Sequence, residues 1–132
     1  MIFVDANVFL AYDNINDVHH HQAVMLFQKI VKCHYGDPFT SDYVFNEVVG
    51  VTFRKKGKER ALVLGNHLQK SLLILNVDDH LLNEAWNIFS TTPLGLNLVD
   101  CTNLVLAKLA RTNYIATFDN EFEKVKNIQI IK

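Results

Sequence analysis

Short apolar runs alternate with amphipathic segments along the chain. The short runs are predicted to be strands, at residues 2–4, 39–40, 72–75, 114–117 and 128–131. Residues 20–32 place their apolar positions at the three-and-four spacing of one helix face. Residues 59–70 and 78–89 are also predicted to be helices, and residues 102–112, which are apolar on nearly all sides, are predicted to form a central helix. Shorter helical segments are predicted at residues 7–12 and around 121–125.

The segment after Ser41 fits two patterns. Its many β-branched and aromatic residues favour a strand by propensity. Positions 44, 45, 48, 49 and 52, however, repeat with helical spacing, and Ser41 or Asp42 would make a good N-cap. We predict a helix, which places Glu47 at the edge of its apolar face.

Strands that alternate with helices imply a parallel sheet covered on both faces. The predicted fold class is therefore α/β, a three-layer α/β/α arrangement with a short, mostly parallel central sheet. At 132 residues and 15.1 kDa the chain suits one domain with its own core, residues 1–132.

Charge and hydropathy limit the environments and partners of the protein. The net charge of −1 gives no strong global field, so any nucleic-acid binding must come from a local basic patch. The apolar stretches are far shorter than the roughly 20 residues that cross a bilayer, so no membrane partner is expected. Asp5 interrupts the apolar start, which is unlike a secretory signal. Cys33 and Cys101 are expected to be reduced thiols of a cytoplasmic protein.

Four acidic residues lie where predicted elements end or turn. Asp5 and Asp119 follow predicted strands, Asp100 precedes the last long helix, and Glu47 lies early in the helix after Ser41. A carboxylate beside buried apolar residues is costly unless it is paired, hydrogen-bonded or bound to a cation. Ligands of open parallel sheets bind beyond the carboxyl ends of the strands, so we expect the four acids near one edge.

Each acid also has a purely structural explanation. The three aspartates come just before helical segments, where Asp is a favoured N-cap, and Glu47 is explained equally well as a solvated helix residue. Capping alone does not require the acids to converge. Convergence of the four carboxylates is therefore the observation that favours a shared divalent metal and hydrolysis of a phosphate ester.

Four sequence segments follow the order typical of one protein family. They are IFVDANVFL at residues 2–10, TSDYVFNEV at 40–48, VD at 99–100 before LVLA at 104–107, and TFDNEF at 117–122. Each segment alone is weakly specific, but the ordered set covers essentially the whole chain. The chain thus resembles the PIN-domain ribonucleases, especially the small stand-alone VapC toxins of type II toxin–antitoxin pairs.

The resemblance implies an endoribonuclease that cleaves RNA with water activated by Mg²⁺ or Mn²⁺. It implies four catalytic positions, Asp5, Glu47, Asp100 and Asp119. We expect the three aspartates to face the metal and Glu47 to complete the site, directly or through water. Oxygen ligands are what both metals prefer, so the residues themselves suit this chemistry. Asn7 and Thr117 are expected to support the site by hydrogen bonding, although a turn or capping role for Asn7 is as good an explanation.

The resemblance also carries expectations about topology and partners. It implies the strand order 3-2-1-4-5. It implies an RNA substrate, a small antitoxin protein whose tail covers the acidic pocket, and homodimerisation. The sequence does not identify the RNA. It also does not distinguish a toxin from a stand-alone RNA-processing enzyme.

Three other groups of residues are conspicuous. The dense basic cluster is either a solvated helix end or an RNA phosphate-contacting patch, and it comprises Arg54, Lys55, Lys56, Lys58 and Arg60. The three consecutive histidines at 19–21 cannot all face one ion on a helix, so we expect a helix start with one ring packed inward. The remaining aromatic residues are expected in the core or a partner groove, with base stacking as a lesser alternative, namely Phe9, Tyr12, Trp86 and Phe89.

Two rival functions remain at this point. Residues 5–8 nearly match the D-x-D-x-T/V motif of haloacid-dehalogenase-like phosphatases, but Asn7 replaces the second aspartate and no late G-D-x-x-x-D follows. The second rival is a PIN-like module that binds RNA or protein without cutting it. The complete set of acids argues against that second interpretation.

Overall fold

Five short strands form the central sheet in the computed structural model, which describes residues 1–132. The strands are Ile2–Val4 (β1), Pro38–Ser41 (β2), Leu73–Leu75 (β3), Tyr114–Ala116 (β4) and Gln129–Ile131 (β5). Their spatial order is β3-β2-β1-β4-β5, and every neighbouring pair is parallel. The predicted α/β class and the strand order implied by the resemblance are both confirmed. The sheet is parallel throughout.

Six α-helices and one short 3₁₀ helix surround the sheet. The α-helices are Ala6–Asp13 (α1), His20–Val31 (α2), Asp42–Lys56 (α3), Lys58–Ser71 (α4), Asp79–Thr91 (α5) and Leu98–Leu109 (α6). The 3₁₀ helix is Asn120–Lys124. Helix α1 packs on α2 and α3, and α3 packs on α4, whereas α5 packs on α6. These two helix groups and the sheet give the predicted three-layer α/β/α fold.

The middle strand β1 lies in the centre of the hydrophobic core. Ile2, Phe3 and Val4 are fully buried, and the Phe3 ring meets Phe39 of β2 edge-to-face at 5.3 Å between centroids. Burying one such side chain contributes about 1.5–3 kcal/mol. The carboxyl end of β1 is therefore a well-fixed point, and the chain continues from it directly into Asp5.

Side-chain capping explains the helix after Ser41. Ser41 Oγ accepts a hydrogen bond from the Val44 backbone N–H at 3.0 Å, so Ser41 is the N-cap of α3. The buried residues Val44, Val48 and Thr52 follow the predicted helical spacing. Gly57 separates α3 from α4 with a φ of 85°, a conformation that favours glycine.

The start of α6 differs from the prediction. The helix begins at Leu98 and ends at Leu109, whereas residues 102–112 were predicted. Asn97 is the N-cap, because its side chain accepts from the Asp100 N–H at 2.9 Å while Asp100 Oδ2 accepts from the Asn97 N–H at 2.8 Å. The prediction that Asp100 heads the helix was therefore wrong by three positions. As predicted, α6 is central, with seven buried residues.

Some residues predicted to be buried lie at the surface. Strand β3 is an edge strand and its Leu73 is 51% exposed, because no further strand covers it. Phe9 belongs to the core, but Tyr12, Trp86 and Phe89 are exposed. A run of apolar residues in the sequence does not show whether the strand lies at the edge or in the middle of the sheet.

Two simple expectations can be compared directly with the structure. Cys33 is exposed and Cys101 is buried, and neither forms a disulfide. None of the helices combines the length and apolar character needed to span a bilayer.

Candidate active site

Asp5 is the most heavily hydrogen-bonded carboxylate of the protein, and it lies at the carboxyl end of the central strand. Its Oδ1 accepts from the Ala6 N–H at 2.8 Å and from Asn103 Nδ2 at 3.3 Å. Its Oδ2 accepts from Asn7 Nδ2 and from Thr117 Oγ1, both at 2.8 Å. Four donors therefore hold a side chain that is only 6% exposed.

Asn7 and Thr117 connect the ends of β1 and β4. Besides Asp5, Asn7 Nδ2 reaches Thr117 Oγ1 at 2.9 Å, and Asn7 Oδ1 accepts from the Phe118 N–H at 3.0 Å. Thr117 Oγ1 also accepts from the Asp119 N–H at 3.1 Å. The two polar side chains thus fix the position of Asp119 relative to Asp5.

Asp119 is half-buried and caps the 3₁₀ helix. Its Oδ1 accepts from the Glu121 N–H at 2.8 Å. No protein donor reaches its Oδ2. One oxygen of Asp119 therefore caps the helix while the other remains available to a metal. The interpretation of Asp119 as a structural N-cap and its interpretation as a metal-facing acid are thus compatible.

Burial and mutual repulsion disfavour the ionised forms of the acids. Burial raises the pKa of Asp5 to about 6, helped by the charges of Glu47 and Asp119 and opposed by the Thr117 and Ala6 hydrogen bonds. The Asp5 carboxylate therefore ionises against the effect of its burial and of two neighbouring negative charges. A divalent cation would relieve that repulsion.

Asp100 and Glu47 complete the same negative field. Burial raises the pKa of Asp100 to about 6, and the charges of Asp5 and Asp119 add to the effect against the Asn97 hydrogen bond. Burial also raises the pKa of Glu47, with a further contribution from Asp100. Each of the four predicted acids is thus within electrostatic reach of at least two of the others. Glu47 is the most exposed of the four.

Asn103 was missed by the sequence analysis. It lies one turn after Asp100 on α6 and is fully buried, with Nδ2 directed to Asp5. Its Oδ1 is the only buried side-chain nitrogen or oxygen atom without a hydrogen-bond partner. Leaving such an oxygen unpaired costs about 1–3 kcal/mol. The sequence did contain a signal for Asn103. It is a polar residue within a predicted central helix, and it lies three positions after Asp100.

The side chains do not form a closed metal cage. No group of three or more His, Cys, Asp or Glu side chains is close enough together to hold an ion by itself. Mg²⁺ usually keeps several waters and is shared between one or two carboxylates and substrate phosphate. An oxygen donor set with an unpartnered buried Asn103 Oδ1 fits such an ion.

Comparison with known proteins agrees with this geometry. The family model described as PIN domain matches residues 2–128. The chain belongs to the PIN domain family. This assignment removes the haloacid-dehalogenase interpretation. A search of curated protein sequences gives no significant match.

Solved structures similar to this PIN domain include toxins and toxin–antitoxin complexes. VapC20 of Mycobacterium tuberculosis, described as a toxin that cleaves the sarcin–ricin loop, is 20% identical with a TM-score of 0.80, and the match covers 93% of each chain. VapBC2 of Rickettsia felis, bound to a promoter DNA fragment, is 14% identical with a TM-score of 0.72 over 99% of this chain and 98% of that one. A toxin–antitoxin complex of Klebsiella pneumoniae is 14% identical with a TM-score of 0.68, and the match covers 100% of this chain and 97% of that one. At these identities the likeness shows a common fold.

Two residues of the basic cluster form salt bridges, and the other three do not. Lys56 Nζ contacts Asp13 Oδ2 at 2.9 Å, and Arg60 pairs with the other oxygen of the same carboxylate. Arg54, Lys55 and Lys58 form no salt bridge. Asp13 at the end of α1 therefore binds two of the five basic residues, a pairing that neither interpretation of the cluster had included.

The three histidines have different surroundings. His20 Nδ1 is hydrogen-bonded to the Ala11 carbonyl at 2.9 Å, so it is the ring packed inward. His19 stacks on Phe118, and His21 is exposed.

One large cavity of the PIN domain lies away from the four predicted site acids. It has a volume of about 850 Å³ and is bordered by apolar side chains of α1, α2 and α4, including Phe9, Phe27, Ile30 and Leu64. None of the four acids borders it. The acidic cluster and the apolar groove are therefore separate features of the protein.

Proposed function

We propose that this PIN domain is a Mg²⁺- or Mn²⁺-dependent endoribonuclease and the toxin of a toxin–antitoxin pair. The observation that carries the proposal is the cluster of Asp5, Glu47, Asp100 and Asp119, which share one negative field at one edge of the sheet. Clustered carboxylates with raised pKa values are typical of functional sites.

The acids have distinct positions within the proposed site. Asp5, Asp100 and Asp119 would face the metal, directly or through waters that the ion keeps, and Glu47 on α3 would complete the site from the solvent side. When bound, the ion supplies charge neutralisation and an activated water for attack on phosphorus. Asn7 and Thr117 hold Asp5 and Asp119 in position through hydrogen bonds just beyond the ends of β1 and β4.

The structural neighbours support the RNA substrate and the protein partner. One neighbour is described as cleaving the sarcin–ricin loop, and others are toxin–antitoxin complexes. For this chain we propose a structured or single-stranded RNA substrate, a small antitoxin, a homodimer, and a cytoplasmic location. The unpaired side chains of Arg54, Lys55 and Lys58 are the proposed phosphate contacts. The apolar groove offers surface for the antitoxin.

The proposal is tested by incubating the protein with RNA in Mg²⁺, in Mn²⁺ and in excess chelator. Asp119→Asn is the suitable inactive variant, because asparagine keeps the oxygen that accepts from the Glu121 N–H. It should fold and lose cleavage, while Glu59→Gln on the exposed face of α4 should cleave like the wild type. Metal binding without cleavage of any RNA would favour the non-catalytic alternative.

A toxin and a stand-alone RNA-processing nuclease differ in their genetic surroundings. A short adjacent reading frame with a DNA-binding pattern, whose product relieves growth arrest caused by this chain, would support the toxin. Cleavage of RNA without growth arrest would support the processing enzyme.

A further inference from the structure

His19 and Phe118 form an almost parallel aromatic stack beside the acidic cluster. Their ring centroids are 4.5 Å apart and the rings are inclined by 10°. Phe118 lies in the chain between Thr117 and Asp119, and its backbone N–H donates to Asn7 Oδ1 at 3.0 Å. The stack is therefore fixed to the same network that holds the carboxylates.

Local hydrogen bonds also restrain the histidine. The His19 backbone N–H donates to Asp17 Oδ1 at 2.8 Å, and the ring Nδ1 is 3.0 Å from Gln22 Oε1. Both stacked rings are only half-buried. In the sequence just before His19, Ile15 and Val18 are also strongly exposed, by 80% and 90%.

A substrate polyanion needs such a surface here. Four carboxylates repel phosphate groups, and the net charge of −1 gives no compensating attraction over the whole molecule. Stacking of a base on an aromatic ring does not involve the phosphate charge, so the carboxylates do not weaken it by repulsion. Unpaired RNA bases commonly stack on Phe and His side chains.

We propose that the His19–Phe118 stack is a subsite for one unpaired nucleobase next to the cleaved phosphodiester bond. This inference rests on the proposed ribonuclease function and specifies which part of the RNA the site holds. The base lies against the exposed part of the stack, and its backbone continues into the acidic cluster. His19 and Phe118 are then positioning residues for the substrate.

The experiment uses one RNA oligonucleotide cleaved by the full chain, selected from a random-sequence RNA pool, in Mg²⁺. Four proteins are compared with the wild type, namely His19→Ala, His19→Leu, His19→Phe and His21→Ala. A series of substrates carries an abasic nucleotide at each position flanking the cut. KM, kcat and the melting temperature are measured for each protein.

Loss of the ring should weaken binding. His19→Ala and His19→Leu should raise KM about 5- to 150-fold, the range for removing one base–aromatic stack. His19→Phe should stay within a few-fold of the wild type, and His21→Ala should match it. One abasic position should raise KM for the wild type by a similar factor and leave His19→Ala unaffected.

Three results would overturn the subsite. They are an unchanged KM in His19→Ala, full recovery by His19→Leu, or independent effects of the variant and the abasic nucleotide at every position. Recovery by leucine would show that His19 only covers Phe118. Failure of the wild type to cleave any RNA in the pool would instead refute the proposed function itself, so the two failures are distinguishable.

Discussion

Asn103 on α6 donates to Asp5 at the end of β1 through the longest of the four hydrogen bonds that Asp5 accepts, at 3.3 Å. The other three bonds to Asp5 are 2.8 Å long. The Asn103 bond is therefore the one most easily given up when another group takes a lone pair of Asp5 Oδ1. Meanwhile, Asn103 Oδ1 is buried without a partner and is available to a water or a hydrated ion.

This relationship predicts the behaviour of Asn103→Leu. Leucine has a similar shape, and it removes a weak hydrogen bond together with an unpaired oxygen. The free energy of unfolding in chelator should therefore change by less than about 1 kcal/mol. Affinity for Mg²⁺ or Mn²⁺ should fall about 10- to 100-fold, as expected for a group that orients a metal ligand.

Calorimetric titration with each metal and chemical denaturation in chelator would measure the two quantities. Asn87→Leu, at an exposed position of α5, is the matched control and should leave the metal affinity unchanged. Equal metal affinity in Asn103→Leu would reduce Asn103 to a packing residue.

Asp100→Asn should stabilise the metal-free protein at neutral pH. The pKa of Asp100 is raised from 3.8 to about 6 by burial and by the charges of Asp5 and Asp119. Between those values the folded protein holds a proton that the unfolded chain has released, so wild-type stability falls as the pH rises through this window. Asparagine retains an oxygen for the Asn97 N–H but cannot ionise.

The gain in the free energy of unfolding should be about 1–3 kcal/mol near pH 7 in chelator and should vanish below about pH 4. Denaturant titrations of Asp100→Asn and the wild type at several pH values would measure this difference in the free energy of unfolding. Glu59→Gln is the control for the loss of one negative charge. Added Mg²⁺ should restore wild-type stability and leave the variant nearly unchanged. A variant less stable than the wild type at neutral pH would contradict this account.

The chemistry predicts the ends of the cleaved RNA. Water is the proposed nucleophile, so the products should carry a 5′-phosphate and a 3′-hydroxyl. Mg²⁺ or Mn²⁺ should support cleavage, and a chelator should stop it. Zn²⁺ should not be required, because neither Cys33 nor Cys101 has a second cysteine at zinc-ligand spacing. A 2′,3′-cyclic phosphate product or full activity in chelator would exclude the mechanism.

The basic cluster should separate into structural and RNA-binding members. The Asp13 side chain is only 4% exposed, and burial alone would raise its pKa, but Arg60 and Lys56 lower it through hydrogen bonds and charge. Replacing both cations with alanine leaves that carboxylate unpaired. The expected loss of stability is about 1–3 kcal/mol near neutral pH.

Replacing Lys55 and Lys58 with alanine should instead preserve stability and weaken RNA binding. Each lost phosphate contact should reduce the slope of log affinity against log salt by about 0.7 for single-stranded RNA. Filter binding at several salt concentrations would measure that slope. An unchanged slope would show that the helix end is merely solvated.

Some of the site followed from elementary sequence rules. Asp5 and Asp119 each come directly after an apolar run, and parallel strands bring their carboxyl ends to one edge. The helical spacing after Ser41 placed Glu47 on the correct element. The strand order came from the resemblance, since spacing alone does not decide which strands are neighbours.

The remaining features depend on contacts between distant parts of the chain. Asn103 meets Asp5 across 98 positions, and the pairing of Asp13 with Lys56 and Arg60 depends on how α1 packs beside α3 and α4. The start of α6 was misplaced because Asn97 and Asp100 cap the helix reciprocally. A search for that four-residue capping pattern would have found the correct start.

The Asn7–Thr117 link between β1 and β4 ties the integrity of the carboxylate arrangement to that of the hydrophobic core. Asp5 and Asp119 are joined by hydrogen bonds that start directly beyond the ends of two inner strands of the sheet, so their separation is opposed by the best-buried part of the protein. Heat should therefore leave the acidic cluster assembled until the whole domain melts in one cooperative step. Inactivation and unfolding would then be a single event, with no softened, inactive form preceding it.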